Sequence, residues 1–188
     1  MSPETPTGIL RDQHAKILRV ADVLEHLLLP GGADAPRDLD AVEECATFIR
    51  LYADALHHGK EEDLLFAELH DRGMPIEEGP LAVMLWEHQQ GRAHVRALLE
   101  ALPGARGGDP RAVEAVRDAG LAYVSLIRGH INKENNVLFN WADQMIEAPA
   151  CRRLCGDYEG VCRRTFDGHT VAQLEDILAG LEERFPDA

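Results

Sequence analysis

Apolar residues recur at three- and four-residue spacing along nearly the whole chain, and no stretch alternates with the period of two that a strand needs. The pattern predicts a first helix over residues 8–29, capped by Thr7 and closed by Pro30, Gly31 and Gly32. A second, longer helix is expected over 36–70 and stops at Arg72-Gly73. Residues 74–80, with Pro75, Gly79 and Pro80, read as a turn. A third helix is expected over 81–102, ended by Pro103-Gly104, and a fourth from Pro110, with Asp109 as its cap, to about Ile146. Ala148-Pro149-Ala150 is expected to break the chain, and a last helix covers 170–185. Four long helices with short connections predict an all-α, antiparallel up-down-up-down bundle over residues 1–148. Residues 149–188 form a Cys-bearing extension, whose last helix carries an apolar stripe of Val171, Leu174, Ile177, Leu178 and Leu181. That stripe is expected to pack on the bundle, with homodimerisation as the alternative.

The two halves of the bundle repeat. The first helix carries Gln13-His14 and the third Glu87-His88, 74 positions apart. The second carries His57, Glu61 and Phe66, and the fourth His130, Glu134 and Phe139, each pair 73 positions apart. One unit, a lone His followed by His-x3-Glu, thus occurs twice. Residues four apart share a helix face, so His57 with Glu61, and His130 with Glu134, can reach one ion.

If all four helices turn these residues inward, four imidazoles and two carboxylates meet at one level. Buried carboxylates without a counter-charge are costly, and a pair of cations removes that cost. Mixed His and carboxylate ligation suits iron, with manganese or zinc as other occupants. The candidate metal ligands are therefore His14, His57, Glu61, His88, His130 and Glu134.

His58 and Glu62 make an equally spaced pair one residue along. Their counterparts are Ile131 and Asn135, so register favours His57 and Glu61, leaving His58 as a supporting or surface residue. His26, His70 and His94 are expected away from the ions. Glu87 and Arg92 are candidates for supporting contacts or plain surface charges, and Tyr52 for the core or the pocket wall.

Composition sharpens the picture modestly. The chain has 33 Asp and Glu against 19 Lys and Arg, a formal charge of -14, which argues against nucleic acid and anionic membrane surfaces as partners. No basic-then-apolar leader opens the sequence, and no apolar run approaches the roughly 20 residues of a transmembrane helix. The four Cys read as reduced thiols, and the expected compartment is the cytoplasm. Cys45 is expected to pack within the second helix. Cys151, Cys155, Cys162 and His169 could form a zinc set, although their spacing is not that of common zinc modules.

With His14, His57-x3-Glu61, His88 and His130-x3-Glu134 in place, the chain resembles the hemerythrin family, in particular its HHE cation-binding branch. The stretches His57 to Phe66 and Glu87 to Arg92 carry the likeness, which covers residues 8–147. The resemblance implies two non-haem iron ions bridged by carboxylates, Glu61 and Glu134 here, with a bridging oxo or hydroxo group. It also implies a small diatomic ligand or peroxide as the partner. Two departures from the oxygen-carrying members stand out. The position four after His88 is Arg92 rather than His, and the fourth helix has His-x3-Glu rather than His-x4-Asp. Four His ligands remain unless His26, His58, Glu62, Glu87 or His94 completes the set. A more open centre shifts the expectation from oxygen carriage toward binding or sensing O2, NO or peroxide in iron or oxidative-stress homeostasis. Turnover of peroxide or NO, and iron donation to or repair of iron–sulfur proteins, are the alternatives. The ferritin-like di-iron signature, Glu-x2-His on two helices, is not present.

Overall fold

A computed structural model describes residues 5–29 and 38–188. Among these the chain is helical with no strand, apart from one isolated bridge between Phe166 and His169. Helix α1 spans Pro6–Leu28, with Thr5 rather than Thr7 as its cap, because Pro6 takes the first helical position and the Thr5 hydroxyl accepts from Gly8 N–H. The Thr7 hydroxyl is instead buried against the Asp143 carboxylate. The breaker at residues 30–32 and the predicted start at Pro36 lie outside the described residues.

The second helical stretch begins as α2, Leu39–Phe48, capped by Asp38. It then widens into π-helix over Ile49–His58 and again over Glu61–Leu65, and ends as α3, Phe66–Asp71. Helix α4 covers Gly79–Arg106. It runs past Pro103, which the sequence pattern takes as a stop, and ends instead at Gly107 and Gly108, the latter at φ +80°. Helix α5 spans Pro110–Lys133 with the expected Asp109 cap, passes through a π-helical turn at Glu134–Leu138, and continues as α6, Phe139–Met145. Residues 148–150 do not break the chain. Pro149 sits in the first turn of α7, Ala148–Cys162, where its missing N–H costs nothing. Helix α8, Val171–Arg184, follows a Thr170 capping box.

Two apolar clusters make up the core. One contains Ile17, Leu24, Phe48, Leu56, Val95, Ile127 and Ile131; the other contains Leu10, Leu65, Phe66, Met84, Leu138 and Phe139. On each of the four long helical stretches the candidate ligands fall between residues of the two clusters. The polar site is thus a belt with hydrocarbon above and below it. The chain enters the belt from the Leu10 side in the first stretch and from the Leu56 side in the second. It enters from the Met84 side in the third and from the Ile127 side in the fourth.

Gly120 lets α5 approach closely, since a Cβ there would collide with Leu28 Cδ1 and crowd Leu98. The tail closes the remaining side. Leu154 and Tyr158 of α7 join the Leu10 cluster, while Leu174, Leu178 and Leu181 of α8 join the Ile17 cluster. The apolar stripe of the last helix is therefore packed within its own chain. Cys45 and Tyr52 are core residues, Tyr52 stacking on Phe48 with ring centroids 4.6 Å apart.

Candidate metal centre

The belt holds five imidazoles and two carboxylates, all 5% exposed or less. His14, His57, Glu61 and Glu134 each bring a ligand atom within 4.8 Å of the others, and so do His58, Glu61, His88 and His130. The six residues expected from the repeat are thus brought together, and His58 joins them. His58 is not a surface residue: it is 5% exposed and stacks on His88, with ring centroids 3.7 Å apart.

The carboxylates sit between the two groups. Glu61 faces His57 Nε2 at 3.4 Å and His88 Nε2 at 3.5 Å, while Glu134 faces His14 Nε2 and His130 Nε2, each at 3.2 Å. Each carboxylate therefore reaches an imidazole of either group. Both stand at the first residue of a π-helical turn, where Phe66 N–H bonds back to Glu61 O and Phe139 N–H to Glu134 O, five residues earlier. Single π-turns of this kind recur at functional sites.

The outer ring of contacts repeats in position for four of the five imidazoles, though not in residue type. His14 Nδ1 donates to Asn135 Oδ1 at 2.8 Å, and His88 Nδ1 to Glu62 Oε1 at 2.7 Å. His57 Nδ1 donates to Gln13 Oε1 at 3.1 Å, and His130 Nδ1 to Glu87 Oε2 at 3.0 Å. His58 Nδ1 donates to Asp54 Oδ1 at 3.3 Å. With all five Nδ1 atoms held from outside, every Nε2 points inward, the arrangement that fixes metal-binding His; the Nε2 atoms of His88 and His130 lie 3.1 Å apart and share a hydrogen bond. Arg92 is half-buried rather than a plain surface charge, and its guanidinium bridges Asp54 and Glu62.

Inside the belt most of the facing atoms lack hydrogen-bond partners. The Nε2 atoms of His14, His57 and His58, and all four oxygens of Glu61 and Glu134, are buried without a hydrogen bond. Such orphaned groups are costly, and a cation is the species that satisfies lone pairs and negative charge together. Protonation follows the same logic. Burial, with the charge of neighbouring imidazoles, holds His57 well below its ordinary value and takes His58 to about 3, so both are neutral donors at pH 7. Burial and the charge of Glu134 push Glu61 up. Burial alone would lower His130, but Glu134 and Glu87 raise it to about 9.

A cavity of about 470 Å³ is lined in part by His58, His88, His130, Gly91, Val95 and Tyr123, and by neither His14 nor His57. The His14 side is packed instead, with Phe139 stacked on His14 at 5.3 Å.

The sequence profile of the hemerythrin HHE cation-binding domain matches residues 5–142. The chain belongs to this family. Three mycobacterial relatives, each described only as an uncharacterized protein, come from Mycobacterium bovis and from two strains of Mycobacterium tuberculosis. Each is 23% identical over 181 residues, covering 96% of this chain and 70% of the relative. No solved structure matches. Membership of the hemerythrin HHE family carries metal-ion binding with it, and the two His/Glu groups are where this chain offers the ligands.

His26, His70, His94 and the tail thiols lie outside both groups. The tail set Cys151, Cys155, Cys162 and His169 does not assemble. Cys151 Sγ turns to Ile146 O, Cys162 is exposed, and the His169 ring bonds back to Asp167 O. Among the described residues no helix is long and apolar enough to cross a membrane.

Proposed function

We propose that the chain is a non-haem di-iron protein that binds a small ligand, O2, NO or peroxide. The observation that carries this reading is the convergence of five imidazoles and two doubly facing carboxylates, with the Nε2 atoms of His14, His57 and His58 and all four carboxylate oxygens buried without a hydrogen bond. His14 and His57 would hold one ion and His58, His88 and His130 the other, with Glu61 and Glu134 shared between them. His58 thereby restores the fifth imidazole that position 92 lacks. The alternation of the two apolar clusters along successive helices supports an antiparallel up-down-up-down bundle around this belt. Iron would supply the coordination position at which the small ligand binds. The protein's own part is to orient the imidazoles, hold the carboxylates dry and leave one face open.

The cavity gives a path from outside to the His58, His88 and His130 side of the belt, which favours the second reading, turnover of peroxide or NO. Metal analysis after iron-replete expression tests the proposal, together with absorption spectra recorded with and without azide. Two irons per chain and azide-sensitive near-ultraviolet bands are expected. Less than one iron, or a spectrum blank to azide, contradicts it. Steady consumption of peroxide or NO would mark an enzyme, and stoichiometric binding a carrier or sensor.

A further inference from the structure

We infer that the cavity beside His58, His88 and His130 binds an apolar organic molecule carrying one hydrogen-bonding oxygen. Its volume of about 470 Å³ is far beyond what a diatomic needs, given about 30 Å³ for a water molecule. It lies in the range of pockets that take organic ligands. Its walls include Ile49, Val95, Leu126 and Ile127, so an apolar body fits. Tyr123 supplies the polar contact: it lines the cavity, is 2% exposed, and its hydroxyl is buried with no hydrogen-bond partner. A ligand oxygen would satisfy that hydroxyl. Gly91 keeps the space open. A Cβ there would meet Tyr123 and Leu126 at ordinary contact, 3.6 and 3.7 Å, so larger side chains would grow into the cavity.

This rests on the metal reading, since a reactive ion at its floor gives the cavity its purpose, but its test does not need the metal. Binding of 4-fluorophenol and of fluorobenzene to the metal-free chain is followed by fluorine NMR. The phenol should bind more tightly, and Tyr123→Phe should erase about fivefold or more of that preference. Gly91→Leu, or Val95→Phe if that variant does not fold, should abolish binding of both. No binding to the wild-type chain, or binding indifferent to the filling variant, overturns the proposal. Equal affinity for the two probes overturns the role of Tyr123. Iron content is measured separately, so loss of one reading leaves the other standing.

A second inference stands on the outer ring of hydrogen bonds. We infer that the two ions differ in redox character, with the ion at His58, His88 and His130 the one that favours the higher oxidation state. Its three imidazoles donate to carboxylates, Asp54, Glu62 and Glu87. Those of the other group donate to neutral amides, Gln13 and Asn135. A carboxylate acceptor raises the basicity of the imidazole it holds. Arg92 and Lys133 offset part of this charge, and three carboxylates against two cations still leave the ring net negative. The iron-loaded chain is reduced stepwise and the mixed-valence signal followed by electron paramagnetic resonance. A strong intermediate signal is expected. It should shrink in Gln13→Glu/Asn135→Asp, which makes the rings alike, and in Glu62→Gln/Glu87→Gln. An unchanged yield in variants that retain two irons overturns the inference. If the double variants lose iron, Asn135→Asp alone decides by the same criterion.

Discussion

The helices carrying His57–Glu61 and His130–Glu134 repeat one motif in two environments, and the differences fall at the positions between the ligands. Lys60 and Lys133 are counterparts. Lys133 has a 42% exposed side chain and pairs with Glu87. Lys60 is 0% exposed, its Nζ has no hydrogen-bond partner, and it lies over the Tyr158 ring of α7 at 5.6 Å. Glu62 and Asn135 are counterparts too, one a carboxylate behind His88 and one an amide behind His14. His58 and Ile131 complete the set. The six residues of the repeat are thus kept twofold, while His58, the tail and the outer ring break the symmetry.

The largest effect should come from the shared carboxylates. Glu61→Ala is expected to abolish iron retention at both positions, because Glu61 belongs to both ligand groups. The metal-free variant should stay folded, with a melting temperature unchanged or raised, since an unpaired buried carboxylate has been removed. Iron analysis beside a thermal melt checks both signs; retention of one firmly held ion would break the idea of a shared bridge.

Next come the outer partners. Glu62→Ala should weaken iron affinity by about 10- to 100-fold, and Asn135→Ala by less, because a neutral amide contributes less to ligand basicity. Competition with a calibrated chelator measures both. Equal losses would remove the asymmetry between the two rings.

The lysine pair should give the smallest shift. Lys60→Met is expected to stabilise the metal-free chain by about 1 kcal/mol or more, since a buried ammonium with no carboxylate partner, set only against the Tyr158 ring and Cys162, is replaced by an apolar chain of similar length. Lys133→Met should change stability by less than about 0.5 kcal/mol, as exposed pairs contribute little. Urea midpoints at constant m-value would show the difference, and a destabilised Lys60→Met would mean that the ammonium has a partner in solution.

Much of the His/Glu cluster is legible in the sequence, because the spacing between halves is nearly constant and six potential ligands keep that register. His58 escapes that logic for two physical reasons. Its counterpart is Ile131, so the repeat gives it no support. The helix around it is also π-helical, with Gly59 N–H bonded to Asp54 O five residues back, and the adjacent His57 and His58 are both buried at the belt, which a single α-helical face does not anticipate. Asp54, four residues before His58, is the signal that would have found it, as an acceptor for its Nδ1. The helix ends went astray where proline was read as a stop: Pro103 is accommodated in a last turn, and Pro149 starts a helix. The cavity has no signature along the chain, since its walls come from three separate helical stretches.

The measurement closest to the central claim is a crystal structure of the iron-loaded chain with anomalous data collected across the iron edge. The account predicts two iron peaks in the belt. His14 and His57 Nε2 should lie on one and His58, His88 and His130 Nε2 on the other, with Glu61 and Glu134 touching both. A single peak, or a second ion from which His58 stands apart, would contradict it.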